Sequence, residues 1–242
     1  MSTELLPKSW TVPQIFRDRL GDNPGRQRAM VADGHLLLVL HKAPQPGDLS
    51  RDPRLLWRDP SGAWRSHLGG DGKVALKRHM EEYEEVLQAL DAEEHEAIGS
   101  EQYLKVLTRL APTLRSARHL HSTLQEAREA IPNERALINA RDHAYRLERT
   151  MELLMSDAKG SLDVATLQQG EEQAATNLAM ARSAHRLNRL AAFFFPLATL
   201  SGVFGVSFNH PMKADASFIP FYAMLGIGLV SGILLTLVIS RK

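Results

Sequence analysis

Cysteine is absent from all 242 residues. That excludes a disulfide framework, a thiolate metal site and a cysteine nucleophile. Net charge is nearly absent as well, with 29 Lys+Arg against 28 Asp+Glu. The chain therefore has no whole-molecule basic field of the kind that gathers nucleic acid, and nucleic acid is not an expected partner. No His-Glu-x-x-His, Gly-x-Ser-x-Gly or Gly-x-x-x-x-Gly-Lys occurs, so no catalytic residue, enzyme activity or resident cofactor is expected. Met1–Asp33 holds no continuous apolar stretch, being broken by Lys8, Arg17, Asp18, Arg19 and Arg26. No signal peptide is expected there.

Charge is missing most conspicuously near the C-terminus. Leu190–Met212 and Ala216–Ser240, 23 and 25 residues, contain no Asp, Glu, Lys or Arg. The mean hydropathy of -0.23 averages these runs with a polar remainder. A hydrocarbon core of about 30 Å needs roughly 20 helical residues, so both runs predict membrane-spanning helices in contact with lipid. Arg182, Arg186 and Arg189 precede the first run and Arg241 with Lys242 follows the second, whereas the intervening loop has Lys213 against Asp215. The positive-inside rule then places both termini in the cytoplasm and the loop outside an inner (plasma) membrane.

The polar part changes period along its length. Residues 26–41 and 54–67 read as two hairpins: Asp33-Gly34 suits the positive φ angles of a type I′ turn, and Asp59-Pro60-Ser61-Gly62 has type I order. Helices are expected at 74–98 and 100–131, on Leu76, Met80, Tyr83, Leu87, Leu90 and then Tyr103, Leu107, Leu110, Leu114, Ala117, His121, Leu124. A third series, Leu137, Ala140, Ala144, Leu147, Met151, Leu154, Ala158, opens a helix expected to start with Pro132 at N1 and to run to Phe208. The expected fold class is α+β. The expected organisation is a cytoplasmic domain over 1–131, a stalk over 132–189, a first transmembrane helix over 190–208, an outer loop over 209–217 and a second transmembrane helix over 218–240. A seam continuing through Leu178 and Leu187 has to bury itself against copies of the same chain, which predicts an oligomer.

Candidate ligand clusters in the polar part carry plain alternatives. Glu81-Glu82-Tyr83-Glu84-Glu85 and Glu93-Glu94-His95-Glu96 lack the glycine-bearing loop of a Ca²⁺ site and read as solvated helix faces. His119 and His121, two apart, fall on different helix faces, and His121 reads as a packed seam residue. In the second run Gly228-x-x-x-Gly232 permits close helix approach. The first run is rich in small residues and ends Phe204-Gly205-Val206-Ser207-Phe208, which suits either close packing or a narrow aqueous path.

The segment Phe194-Phe195-Pro196-Leu197-Ala198-Thr199-Leu200-Ser201-Gly202-Val203-Phe204-Gly205-Val206-Ser207-Phe208 resembles the pore helix of the CorA-type magnesium channel family. In that family a Met-Pro-Leu or similar triplet leads to Tyr-Gly-Met-Asn-Phe at the outer mouth. Pro196 and Gly205 fall in register; Val206 and Ser207 stand where the family has Met and Asn. The resemblance implies a homopentameric funnel whose pore is lined by Leu187, Phe195, Ala198, Gly202, Gly205, Val206 and Ser207, with Asn209 and His210 at the outer mouth. It implies a divalent cation, Mg²⁺ or Zn²⁺, as transported species, with Ser207 and His210 as candidate metal-contacting residues. Imidazole suits Zn²⁺ better than Mg²⁺. The departure at Val206, Ser207 and Lys213 points to an alternative, a CorA-shaped membrane scaffold or signal-gated effector.

Overall fold

The computed structural model describes residues 5–21, 23–45, 52–207 and 219–240, and at 203–207, 219–221, 224, 239 and 240 it describes the backbone alone. The chain divides into two compact units, residues 1–167 and 168–242.

Unit 1 is built on an antiparallel sheet in the order β1 (Arg28–Ala32), β2 (His35–His41), β3 (Pro53–Arg58), β4 (Trp64–Ser66). Asp33 at φ 50° and Gly34 at φ 77° make the tight β1–β2 turn. In the β3–β4 turn the Gly62 N–H donates to the Asp59 carbonyl at 3.0 Å, and the Asp59 carboxylate accepts from the Ser61 hydroxyl and the Ala63 N–H. β2 reads His-Leu-Leu-Leu-Val-Leu-His without alternation because both of its faces are covered. Leu36, Leu38 and Leu40 join Leu56 in a core shared with the helices, whereas Leu37 and Val39 join Leu55 and Trp57 against the N-terminal Leu6, Trp10 and Phe16. The short α1 (Gln14–Arg19) carries Phe16 into that second layer.

α2 (Gly72–Glu96) starts two residues earlier than its apolar pattern predicts. The Asp71 carboxylate caps it by accepting from the Lys73 N–H at 2.6 Å. A Cβ at Gly72 would lie 2.8 Å from the Arg65 backbone nitrogen, so glycine lets the helix start against β4. α3 (Ser100–Ala130) corrects the predicted stripe. Its buried line is Val106, Leu110, Leu114, Ala117, Leu120, Leu124 and Ala127, while Tyr103, Leu107 and His121 sit at the rim. A 3.6-residue helix packed on two partners drifts away from a strict heptad line.

α4 (Arg135–Ser207) is one uninterrupted helix of 73 residues through Gly160, Gly170 and Pro196. It does not begin at Pro132. Pro132 lies in the turn from α3, and the Glu134 carbonyl accepts the first helical N–H groups, from Leu137 at 3.0 Å and Ile138 at 3.2 Å. The proline is displaced from N1 because the Glu134 side chain is held elsewhere, as described below. Leu137, Ala140, Ala144, Leu147, Met151, Leu154 and Ala158 are all buried, the first six in the core shared with α2 and α3.

Unit 2 contains the remainder of α4 and α5 (Ile219–Ser240). A Cβ added at Gly232 would lie 2.6 Å from the Phe193 carbonyl oxygen, and one at Gly228 would lie 2.8 Å from Leu197 Cδ1. The two glycines thus seat α5 directly on the backbone of α4. Among the residues whose side chains are described no helix is long and apolar enough to cross a membrane; that description reaches only Gly202 in the first uncharged run and is interrupted at 219–221, 224, 239 and 240 in the second.

Candidate functional site

The glycine contacts fix which face of α4 meets α5. Phe193, Leu197 and Leu200, spaced four and three apart, form that face. The opposite side leaves Phe195 72% and Leu187 66% exposed, with Ala198 and Gly202 also open. At about 100° per residue, Leu187, Phe195, Ala198, Gly205 and Val206 fall within about 60° of Gly202, whereas position 207 falls about 140° away. Of the sequence-derived candidates, α4 therefore carries six on one stripe in helical register and ends at Ser207. Asn209 and His210 lie outside the described residues.

Three hydroxyls in this unit bond within their own helices. Thr199 donates to the Phe195 carbonyl at 2.8 Å, Ser231 to Gly228 at 3.0 Å and Thr236 to Gly232 at 2.8 Å. Such back-bonding spends the hydroxyl proton of each of the three on its own helix. Between α4 and α5 a cleft of about 390 Å³ is lined by Arg186, Arg189, Leu190, Phe193 and Thr236. In the sequence the two arginines read only as orientation charges. The cleft was not legible because it needs Thr236, which the glycine contacts bring over from a distant helix.

In unit 1 the ionisable side chains tie helices together. Glu134 accepts from Arg58 Nε at 3.0 Å, Lys73 Nζ at 3.1 Å and Trp64 Nε1 at 3.4 Å, joining the start of α4 to β3, β4 and α2. Burial alone would raise its carboxyl, but the Arg58, Lys73 and Trp64 donors outweigh that and hold it below the ordinary range. His121 pairs with Glu148 at 2.7 Å and His143 with Glu84 at 2.8 Å, each across two helices. Glu82 faces Arg54 at 3.8 Å, and Glu93 pairs with Arg109. Members of both acidic clusters are thus engaged with basic side chains of this chain, and among the described residues no group of three or more His, Asp or Glu could hold a metal.

His79 is the exception to this pairing. It is buried on α2, edge-on to Tyr83 at 5.3 Å, and neither ring nitrogen has a hydrogen-bond partner among the described residues. Desolvation, with Arg54 and His41 close by, pushes its pKa down to about 3. The imidazole is neutral and packs as a core group.

The CorA-like Mg²⁺ transporter protein family matches residues 29–241. A comparison with curated proteins finds no match. Among solved structures, the full-length CmaX protein superposes with a TM-score of 0.57 at 14% identity, over 96% of this chain and 83% of that one. The ZntB cytoplasmic domain from Vibrio parahaemolyticus superposes with a TM-score of 0.53 at 15% identity, over 66% of this chain and 80% of that one. These likenesses cover the fold: a small antiparallel sheet against long helices. With the family match running from β1 to the C-terminal end, the chain belongs to the CorA-like Mg²⁺ transporter family.

Proposed function

We propose that the chain is one subunit of a homopentameric channel that carries divalent metal cations, of the Mg²⁺ or Zn²⁺ class, across an inner (plasma) membrane. The observation that carries this reading is the segregation of α4 into two faces, one seated on the glycines of α5 and the other open along Leu187, Phe195, Ala198 and Gly202. In a cyclic assembly the open face turns inward and α5 forms the outer ring. α5 has 22 residues without a charged side chain, about 33 Å of helix against a hydrocarbon core of about 30 Å. Both termini stay on the cytoplasmic side, on the charge asymmetry about the two runs.

Within such a pore Phe195 is the apolar constriction, closing by dewetting, while Gly202, Gly205 and Val206 continue the path outward. A regular helix turns position 207 off this stripe, so Ser207 reaches the mouth only where α4 ends. There a ring of hydroxyls offers oxygens to the waters of a hydrated cation, which suits Mg²⁺ because it sheds water reluctantly. Asn209 and His210 would flank this ring, His210 favouring Zn²⁺. No enzymatic step is needed.

The second reading, a scaffold or signal-gated effector of the same shape, is favoured by Gly205-Val206-Ser207 and Lys213, where the family signature and an acidic loop are lost. Flux of Mg²⁺, Zn²⁺, Co²⁺ and Ni²⁺ into liposomes containing the purified protein separates the two. The channel reading expects flux of at least one ion above protein-free vesicles. Impermeability to all four supports the scaffold.

A further inference from the structure

The cleft between α4 and α5 has a chemistry that the ion path does not use. Arg186 and Arg189 stand three residues apart on α4, and the next two lining residues along that helix are Leu190 and Phe193. Across from them Thr236 has already spent its hydroxyl proton on the Gly232 carbonyl. Neither guanidinium has an ion-pair partner among the described residues, and from Gln173 to Lys242 Asp215 is the sole acidic side chain in the sequence. Two fixed positive charges therefore adjoin an apolar floor, and among the described residues no carboxylate pairs with either.

We infer that this cleft binds a glycerophospholipid with a net anionic headgroup, its phosphate taken by Arg186 and Arg189 and an acyl chain laid along Leu190 and Phe193. Guanidinium groups match phosphate oxygens bidentately, which a single ammonium cannot do. The level is right on the membrane reading, on which this inference rests: the arginines end the charged part of α4 and Leu190 begins the uncharged run, where headgroups give way to acyl chains. A basic pocket between helices on the cytoplasmic side is the form such recognition takes.

The test uses the full-length protein, delipidated in mild detergent and titrated with short-chain phosphatidylglycerol or phosphatidylcholine, bound lipid being counted per subunit by native mass spectrometry. The wild type should prefer phosphatidylglycerol by about tenfold or more, and the double variant Arg186→Gln/Arg189→Gln should lose that preference. Arg182→Gln removes the same kind of charge one turn outside the cleft and should keep it within about twofold. Equal preference in wild type and double variant overturns the inference, as does complete competition by millimolar inorganic phosphate, which would assign the pair to a soluble anion. Vesicle flotation separates the two levels of the argument. Protein that floats with phosphatidylglycerol vesicles yet shows no lipid preference sinks this inference alone, whereas protein that never floats sinks the membrane reading and this inference with it.

Discussion

Replacing His79 with leucine should flatten the acid sensitivity of unit 1. In the folded chain the ring is buried and its pKa lies at about 3, mainly from desolvation and secondarily from Arg54 and His41; unfolded, it returns to about 6.5. Between those values the unfolded chain binds a proton that the folded chain refuses, so stability falls as pH drops below about 6.5 and levels off near 3. Each pH unit in that window is worth about 1.4 kcal/mol, and at pH 5 the accumulated loss is about 2 kcal/mol relative to pH 8. Leucine is close in volume and leaves no unpaired ring nitrogen, so it should cost little at pH 8 despite losing the edge contact with Tyr83. All three tryptophans, Trp10, Trp57 and Trp64, lie in the sheet layers of unit 1. Denaturant titrations followed by tryptophan fluorescence therefore report on this unit within the full-length protein. His67 is also lowered by burial and adds to the wild-type slope, so the quantity to compare is the difference between wild type and variant. That difference should change by about 2 kcal/mol between pH 8 and pH 5. Equal pH dependence in the two proteins would refute the argument that His79 is held neutral by burial.

Three further outcomes follow from contacts described above. Glu134→Ala leaves Arg58 largely buried without its partner and should cost about 2–3 kcal/mol by denaturant titration; because this carboxyl is held low in the fold, its contribution is full above the ordinary carboxylate range and is lost as pH falls through the folded value. Gly232→Ala drives a Cβ to 2.6 Å from a backbone oxygen and should destabilise the α4–α5 pair by about 1–3 kcal/mol in a detergent melt, whereas Gly226→Ala, with nothing within 4 Å, should change little. Ser207→Asn should raise Mg²⁺ flux several-fold in liposomes by presenting a carboxamide ring to the hydrated ion; unchanged flux would remove Ser207 from the mouth.

Residues whose environment is local were the ones readable in advance. Asp33-Gly34 needs only its own φ angles to make a turn, and the buried series on α2 and α4 needs only its spacing, so the sheet and long helices were legible. The cover over the second sheet face was not. Leu6, Trp10 and Phe16 show no period of their own, and they become core only because Leu37, Val39 and Trp57 present a second apolar face. Pro132 misled because its φ suits a helix start, yet Glu134 is held by three donors from other elements and sets the start after itself. On α4, composition named the small residues, but only the seating of Gly228 and Gly232 on Leu197 and Phe193 divides them into a packed and an open face.

The absence of cysteine makes the central claim directly measurable, since any introduced thiol is the sole one in the chain. Ala198→Cys and Gly202→Cys lie on the open face of α4, and Leu197→Cys lies against Gly228. A positively charged, membrane-impermeant thiol reagent applied to the reconstituted protein should modify the first two, reduce cation flux as it does so and be slowed by the conducted ion, while leaving Cys at 197 unreacted. Reaction at 197 with protection at 198 and 202, or modification of the open face with no change in flux, would contradict a cation path along that face.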